Sequence, residues 1–275
     1  MKKKIRVLVT VLLAAVFAVS TGLLARQYRD NAGAEQSYSD ALALAAREQP
    51  APETEATLPP PADTTPPRKV WIPAPVEEDP VMEEMQAIDL EALRAVNPEV
   101  IGWIRIPDTQ IDYPILQGSD NDYYLNHTWE GKANSVGSIF MEYRNSPSFT
   151  DHNTILYGHN MNDGSMFNNL RMYTTQDYWQ KRPYVYVRTE DTVLRYDIFA
   201  SYLADTDCPA FGLSFRQSST RREFLTYALE QTKIQTGIEP ALTDPVLTLV
   251  TCSGAGYANR WTLQARLKLV EVELA

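Results

Sequence analysis

Thiol and imidazole groups are scarce in this 275-residue chain, which has only two cysteines and three histidines. So few cysteines exclude a disulfide-dense scaffold. No CxxC or HExxH spacing occurs, so neither a metal site nor any other cofactor is expected. A Gly-rich phosphate loop and internal repeats are also missing. Past Arg6 no cluster of Lys and Arg appears, and the formal charge is −10. Nucleic acid is therefore excluded as a partner, because phosphate binding needs grouped cations to displace counterions. The 44% hydrophobic content is enough for a proper core.

Charge is absent again from Val7 to Ala25, a run close to the roughly 20 apolar residues that span a bilayer as a helix. Lys2, Lys3, Lys4 and Arg6 precede it, against Arg26 and Arg29 behind it. A cleaved signal peptide shares the basic start, but Leu23-Leu24-Ala25-Arg26 is a poor cleavage site. The reading is an uncleaved single-pass anchor in the cell membrane over residues 7–25, with residues 1–6 cytoplasmic and the rest extracytoplasmic.

From Pro50 to Pro80, ten of 31 residues are proline, a composition that favours extended polyproline conformations over a core. Residues 26–80 are expected to form an extracytoplasmic stalk. Within them, Ala34 to Glu48 has helix-forming Ala and Leu but no evident burial partner.

The folded unit is expected over residues 81–275. Helical spacing over Met82 to Val96 opens it and Pro98 ends the helix. Eight segments then read as strands: Val100 to Ile106, Ile111 to Leu116, Val136 to Glu142, Asn153 to Gly158, Tyr184 to Thr189, Val193 to Leu203, Val246 to Thr251 and Arg260 to Val272. Helical inserts are expected at Asn121 to Leu125 and Ser165 to Tyr173. A longer helix, Thr220 to Ile234, is capped by Ser219 or Thr220 in the insertion before the cysteine strand. The fold class is mainly β with helical additions, closed or nearly closed into a barrel.

Chemistry concentrates in Thr248-Leu-Val-Thr-Cys252, in Arg260 eight residues later, and in Tyr157-Gly-His159 upstream. A thiol becomes a nucleophile when a nearby cation or base favours its thiolate. Arg260 offers a permanent cation with a planar fork of donors for an oxyanion. His159 is preferred as acid and base, because imidazole titrates near neutrality and a departing amine needs a proton. His127 and His152 read more easily as surface residues. The plain alternatives are a buried inert thiol at Cys252, a disulfide to Cys208, and a solvated strand-end charge at Arg260.

These residues resemble the sortases, membrane-anchored cysteine transpeptidases of Gram-positive bacteria, and within them class B. The similarity runs from about Val96 to Val272 and is carried by Ile101-Gly-Trp-Ile-Arg-Ile-Pro-Asp-Thr-Gln-Ile-Asp-Tyr-Pro-Ile115, Asp122-Tyr-Tyr-Leu125, Gly137-Ser-Ile-Phe140, Asn153-Thr-Ile-Leu-Tyr-Gly-His-Asn-Met161 and Thr248-Leu-Val-Thr-Cys252. The resemblance implies a mixed eight-stranded β-barrel with an N-terminal helix and no disulfide. It also implies catalytic roles for His159, Cys252 and Arg260, and substrate contacts at Asn121, Leu125, Tyr157 and Thr206, with Phe211 and Ser253 more remote. Its implied partners are the sorting-signal peptide of a secreted surface protein or pilin and a primary amine of peptidoglycan or of a pilin Lys. Many relatives carry acidic residues after the cysteine, whereas Ser253 to Asn259 has none. From other classes, a tethered wall-binding scaffold and a cell-wall cysteine endopeptidase remain as alternatives.

Overall fold

A computed structural model describes residues 2–46, 68–74, 79–252 and 259–274, with backbone alone for residues 2–9, 68–69, 252 and 270–274. Most of the expected proline-rich stalk and the loop at residues 253–258 lie outside the described residues.

A single helix, α1 (Lys2–Ala45), runs through both the apolar segment and the Ala-rich segment that follows it. Its first half is long and apolar enough to cross a membrane. Val11, Leu12, Val16, Phe17 and Leu23 are all exposed there. Its second half finds the burial partner that the sequence does not reveal. Ala34, Tyr38, Ala41 and Ala45 are buried in the main core. Ser37 O accepts from Trp129 Nε1 at 3.0 Å, and Asp30 O accepts from Asn134 Nδ2 at 2.8 Å. Helical period explains the pattern: residues 34, 38, 41 and 45 lie on one face.

Next come β1 (Arg68–Pro73), α2 (Pro80–Gln86) and α3 (Leu90–Val96). The expected single helix over Met82 to Val96 is thus two. Asp89 causes the division, because its carboxylate accepts from Ala92 N at 2.9 Å and so starts a new helix. Asp79 caps α2 in the same way at 3.0 Å from Val81 N.

The barrel follows in chain order: β2 (Val100–Arg105), β3 (Asp112–Leu116), β4 (Ile139–Met141), β5 (Asn153–Tyr157), α4 (Gln176–Lys181), β6 (Tyr184–Arg188), β7 (Val193–Asp205), α5 (Ser218–Gln231), β8 (Val246–Cys252) and β9 (Asn259–Arg266). Its closed order is β2-β3-β4-β5-β8-β9-β7-β6. The β3–β4 and β5–β8 pairs are parallel and the others antiparallel, so the eight-stranded barrel is mixed, as expected. A register shift between Ile198 and Ala200 bends the long β7, which pairs with β6 on one side and β9 on the other. Trp103, Phe140, Leu156, Ile198, Leu249 and Leu263 are among the buried residues of the barrel.

The last expected strand, Arg260 to Val272, also divides. It breaks at Leu267 and Lys268, and β10 (Leu269–Leu274) leaves the barrel to pair antiparallel with β1. The expected inserts are present as short 3₁₀ helices at Tyr123–Leu125 and Asn168–Thr174. Helix α5 begins at Ser218, with Gln217 in the cap position and no side-chain cap bond, rather than at a Ser219 or Thr220 cap. Its Phe224, Leu225 and Ala228 pack with Phe199, Tyr202 and Ala204 of β7.

Candidate active site

Three neighbouring strands set the site. Parallel pairing of β5 and β8 puts Tyr157 beside Val250, and Gly158 N continues the ladder by donating to Val250 O at 3.1 Å. Cys252 ends β8 two residues beyond that pair, and His159 stands two residues past the end of β5, just beyond the ladder. On the other side of β8, antiparallel pairing sets Arg260 opposite Cys252. Adjacent strands are about 4.8 Å apart, so the ends of β5 and β9 flank the β8 terminus on its two sides. One barrel rim therefore carries all three positions. The Cys252 thiol lies outside the described side chains.

Gly158 makes the close approach on this rim possible. A Cβ there would collide with Ile139 Cδ1 and lie 2.8 Å from Phe167 Cδ2. His159 is then held by its ring: Nε2 is 2.8 Å from Leu125 O. A carbonyl oxygen only accepts, so the neutral ring carries its proton on Nε2 and leaves Nδ1 as the basic nitrogen. Leu125 thus contributes its backbone to the site, while its side chain packs against the core.

Arg260 pairs in register with Ala204 of β7 as well as with Cys252, and its Nη1 donates to Asn259 O at 3.0 Å. Thr206 is exposed just after Asp205, which pairs with Asn259, so the end of β7 brings Thr206 to the same rim. Tyr157 is partly buried and its hydroxyl donates to Glu142 Oε2 at 3.1 Å. Burial, and next the Glu142 charge, push the Tyr157 phenol well above its ordinary range, with Arg144 and then Arg260 acting the other way. Asn121 reaches the same carboxylate, Nδ2 donating to Oε2 at 2.7 Å.

Glu142 is the residue that sequence reasoning missed. It closes the apolar run Ile139-Phe-Met141, and an acid at the end of such a run was the available signal. The two other histidines lie elsewhere. His127 stacks on Tyr123 at 3.9 Å between ring centroids, with Nδ1 2.8 Å from Tyr123 O. His152 precedes the opposite end of β5, where its carbonyl accepts from Val246 N at 3.1 Å, and its Nε2 lies 2.9 Å from Arg221 Nη1. Cys208 is a free thiol before the short helix Pro209–Phe211, so the disulfide alternative is not formed. Phe211 packs into the second core cluster, and Ser253 lies outside the described residues, as does most of the loop lacking acids.

Comparison with known proteins matches residues 104–268 to the sortase domain. Sortase B of Listeria monocytogenes is 39% identical over 164 residues, which are 60% of this chain and 67% of that protein. The solved structure of sortase B from Bacillus anthracis in complex with AAEK1 aligns with a TM-score of 0.67 at 28% identity, covering 89% of this chain and 100% of that one. The Staphylococcus aureus sortase B–substrate complex aligns with a TM-score of 0.61 at 29% identity, covering 66% and 84%.

Proposed function

Because the chain belongs to the sortase family and is an enzyme of the sortase B, cysteine transpeptidase type, we propose that Cys252 cleaves a C-terminal sorting signal after Thr and passes the acyl group to a primary amine. Cys252 gives its thiol proton to His159 Nδ1, and its Sγ, now a thiolate, adds to the Thr carbonyl carbon, whose oxygen takes the negative charge. Arg260 stabilises that oxyanion with its planar donors. The intermediate collapses to a thioester as the C–N bond breaks and His159 Nδ1–H protonates the departing amine. An incoming amine then attacks the thioester, gives its proton to His159 Nδ1, and expels the Cys252 thiolate. The new amide bond conserves the acyl group, and water in place of the amine gives hydrolysis.

The observation that supports this reading is the strand register that sets Arg260 opposite Cys252 and brings the end of β5, with His159 two residues beyond it, beside the end of β8. Asn121, Leu125, Tyr157 and Thr206 are proposed to contact the sorting peptide. The acceptor is proposed to be a cell-wall cross-bridge amine or a pilin Lys. Residues 7–25 are proposed as the anchor, with the N-terminus cytoplasmic and the catalytic unit of residues 81–275 held outside on residues 26–80, part of which rests on the unit through α1.

Incubating the protein with a peptide library and triglycine tests the reading. Ligated products after Thr, lost on selective alkylation of Cys252, are expected. Cleavage indifferent to added amine would indicate an endopeptidase, and a thiol closed to reagent would indicate a scaffold.

A further inference from the structure

Glu142 follows β4 directly, and only 1% of its side chain is exposed. A carboxylate at that depth is costly unless its oxygens are well supplied with donors. Oε1 takes Arg144 Nε at 2.7 Å and Arg144 N at 3.4 Å. Oε2 takes Asn121 Nδ2 at 2.7 Å and Tyr157 Oη at 3.1 Å. The labour is divided: one oxygen is held by a side chain that is 58% exposed, the other by two residues at the proposed substrate rim. Asn121 is fixed at its other end too, since its Oδ1 accepts from Tyr143 N at 3.1 Å. Burial by itself raises the Glu142 carboxyl, but the Arg144 and Asn121 hydrogen bonds outweigh it and hold the group below the ordinary range. The acid therefore stays ionised and accepts from both neighbours.

We propose that Glu142 is a positioning residue of the acyl-transfer reaction, fixing the Asn121 amide and the Tyr157 hydroxyl in the directions that the sorting peptide meets. The proposal rests on the transpeptidase reading and deepens it by naming what orients the peptide-binding side chains. A residue that served only to join β4 to β5 would affect stability and leave peptide affinity alone. A residue acting through Asn121 and Tyr157 affects KM, and loses its effect once its partner is gone.

The test uses the full-length protein, a quenched fluorescent peptide of the sequence the wild type selects, and triglycine. Glu142→Gln is expected to raise KM about tenfold, the scale of one charge-assisted hydrogen bond, with kcat less affected. The alkylation rate of Cys252 should not change. Glu142→Gln combined with Tyr157→Phe should be little worse than the worse single variant. Additive effects, or a loss of stability with KM unmoved, overturn the proposal.

Should Glu142→Gln fail to fold, Arg144→Gln replaces it, because that side chain is largely exposed. The charged and titratable groups around Glu142 are Arg144 and Tyr143 from its own segment, Tyr157 from β5, and Arg260 of β9, which reaches it through Tyr157. Without Arg144 the carboxyl titrates at higher pH, so the acid limb of kcat/KM should move upward relative to the wild type. An unmoved limb overturns the proposal. Absence of triglycine-dependent ligation by the wild type would instead sink the transpeptidase reading itself.

Discussion

His159 Nε2 is 2.8 Å from the carbonyl oxygen of Leu125, a contact that fixes both the ring's direction and its neutral tautomer. Gly137, whose φ is +65°, lies against that carbonyl, and a Cβ there would be 2.8 Å from Leu125 O. Gly137→Ala must therefore displace the peptide that orients the imidazole. We expect a stability loss of about 1–3 kcal/mol from the strained backbone and a fall in kcat of about tenfold or more as His159 loses its fixed direction. Nitrogen-15 NMR of the neutral wild-type ring should show the proton on Nε2. A spectrum with the proton on Nδ1 contradicts the assignment of Nδ1 as the nitrogen that exchanges protons with substrate.

Arg260 offers a second test, because its two possible contributions separate by substitution. Arg260→Ala removes charge and fork together and should lower kcat by about 10² to 10³, the usual cost of a lost oxyanion donor. Arg260→Lys keeps the charge on a single ammonium and should recover only part of that loss. Both variants should unfold near the wild-type midpoint, since the side chain sits at a strand end on the rim. Rates equal to wild type in both would remove Arg260 from the mechanism.

The barrel was legible because its strands are β-branched runs bounded by turn chemistry, and eight such runs leave few alternatives to closure. Two of the boundary differences have identifiable causes, one local and one distant. Asp89 reads as one more polar position on a helix until its carboxylate is seen capping Ala92 N. Leu267-Lys268 carries no turn signal, and what diverts β10 is its pairing with β1, a contact between distant segments. The three residues proposed for the chemistry stood out by residue type, and the pairing of Cys252 with Arg260 follows from their strand positions. Glu142 did not stand out, since reading it needed the knowledge that Asn121 and Tyr157 converge on it from separate elements. The docking of α1 was hidden likewise: residues 34, 38, 41 and 45 form a clear stripe, but nothing in the chain says what covers it.

The His152–Arg221 pair makes a prediction about stability rather than catalysis. Burial, and next the Arg221 charge, lower the His152 pKa below its ordinary value of 6.5. The unfolded chain therefore binds a proton on this ring at a higher pH than the folded chain does. Well above pH 6.5 both states are neutral here and stability does not depend on this ring's protonation. As the pH falls from there towards the lower folded value, the unfolded state gains protons first and stability declines. His152→Gln should flatten this part of the melting temperature profile between pH 8 and pH 5. An equally steep profile in the variant would assign the acid sensitivity to other groups.

Docking of the N-terminal helix should be measurable as stability of the barrel. Tyr38 is buried, its hydroxyl donating to Gly137 O at 2.6 Å and lying 3.2 Å from Ser138 Oγ, and its ring meets Tyr113 edge-on at 5.1 Å. Burial raises its phenol far above the ordinary range, so the group remains a donor at any physiological pH. Tyr38→Phe leaves the Gly137 carbonyl short of a partner and should cost about 1–3 kcal/mol. Tyr38→Ala also empties the space under the helix and should cost about 3–5 kcal/mol, by analogy with other buried aromatic truncations. A fragment beginning at residue 47 loses the whole contact while keeping β1 and the Asp79 cap, exposing Tyr113 and Trp129. Its urea midpoint should fall clearly below that of a fragment beginning at residue 26, with both still binding a thiol reagent at Cys252. Equal midpoints would mean that α1 rests on the barrel without stabilising it, and the helix would then be a spacer rather than part of the folded unit.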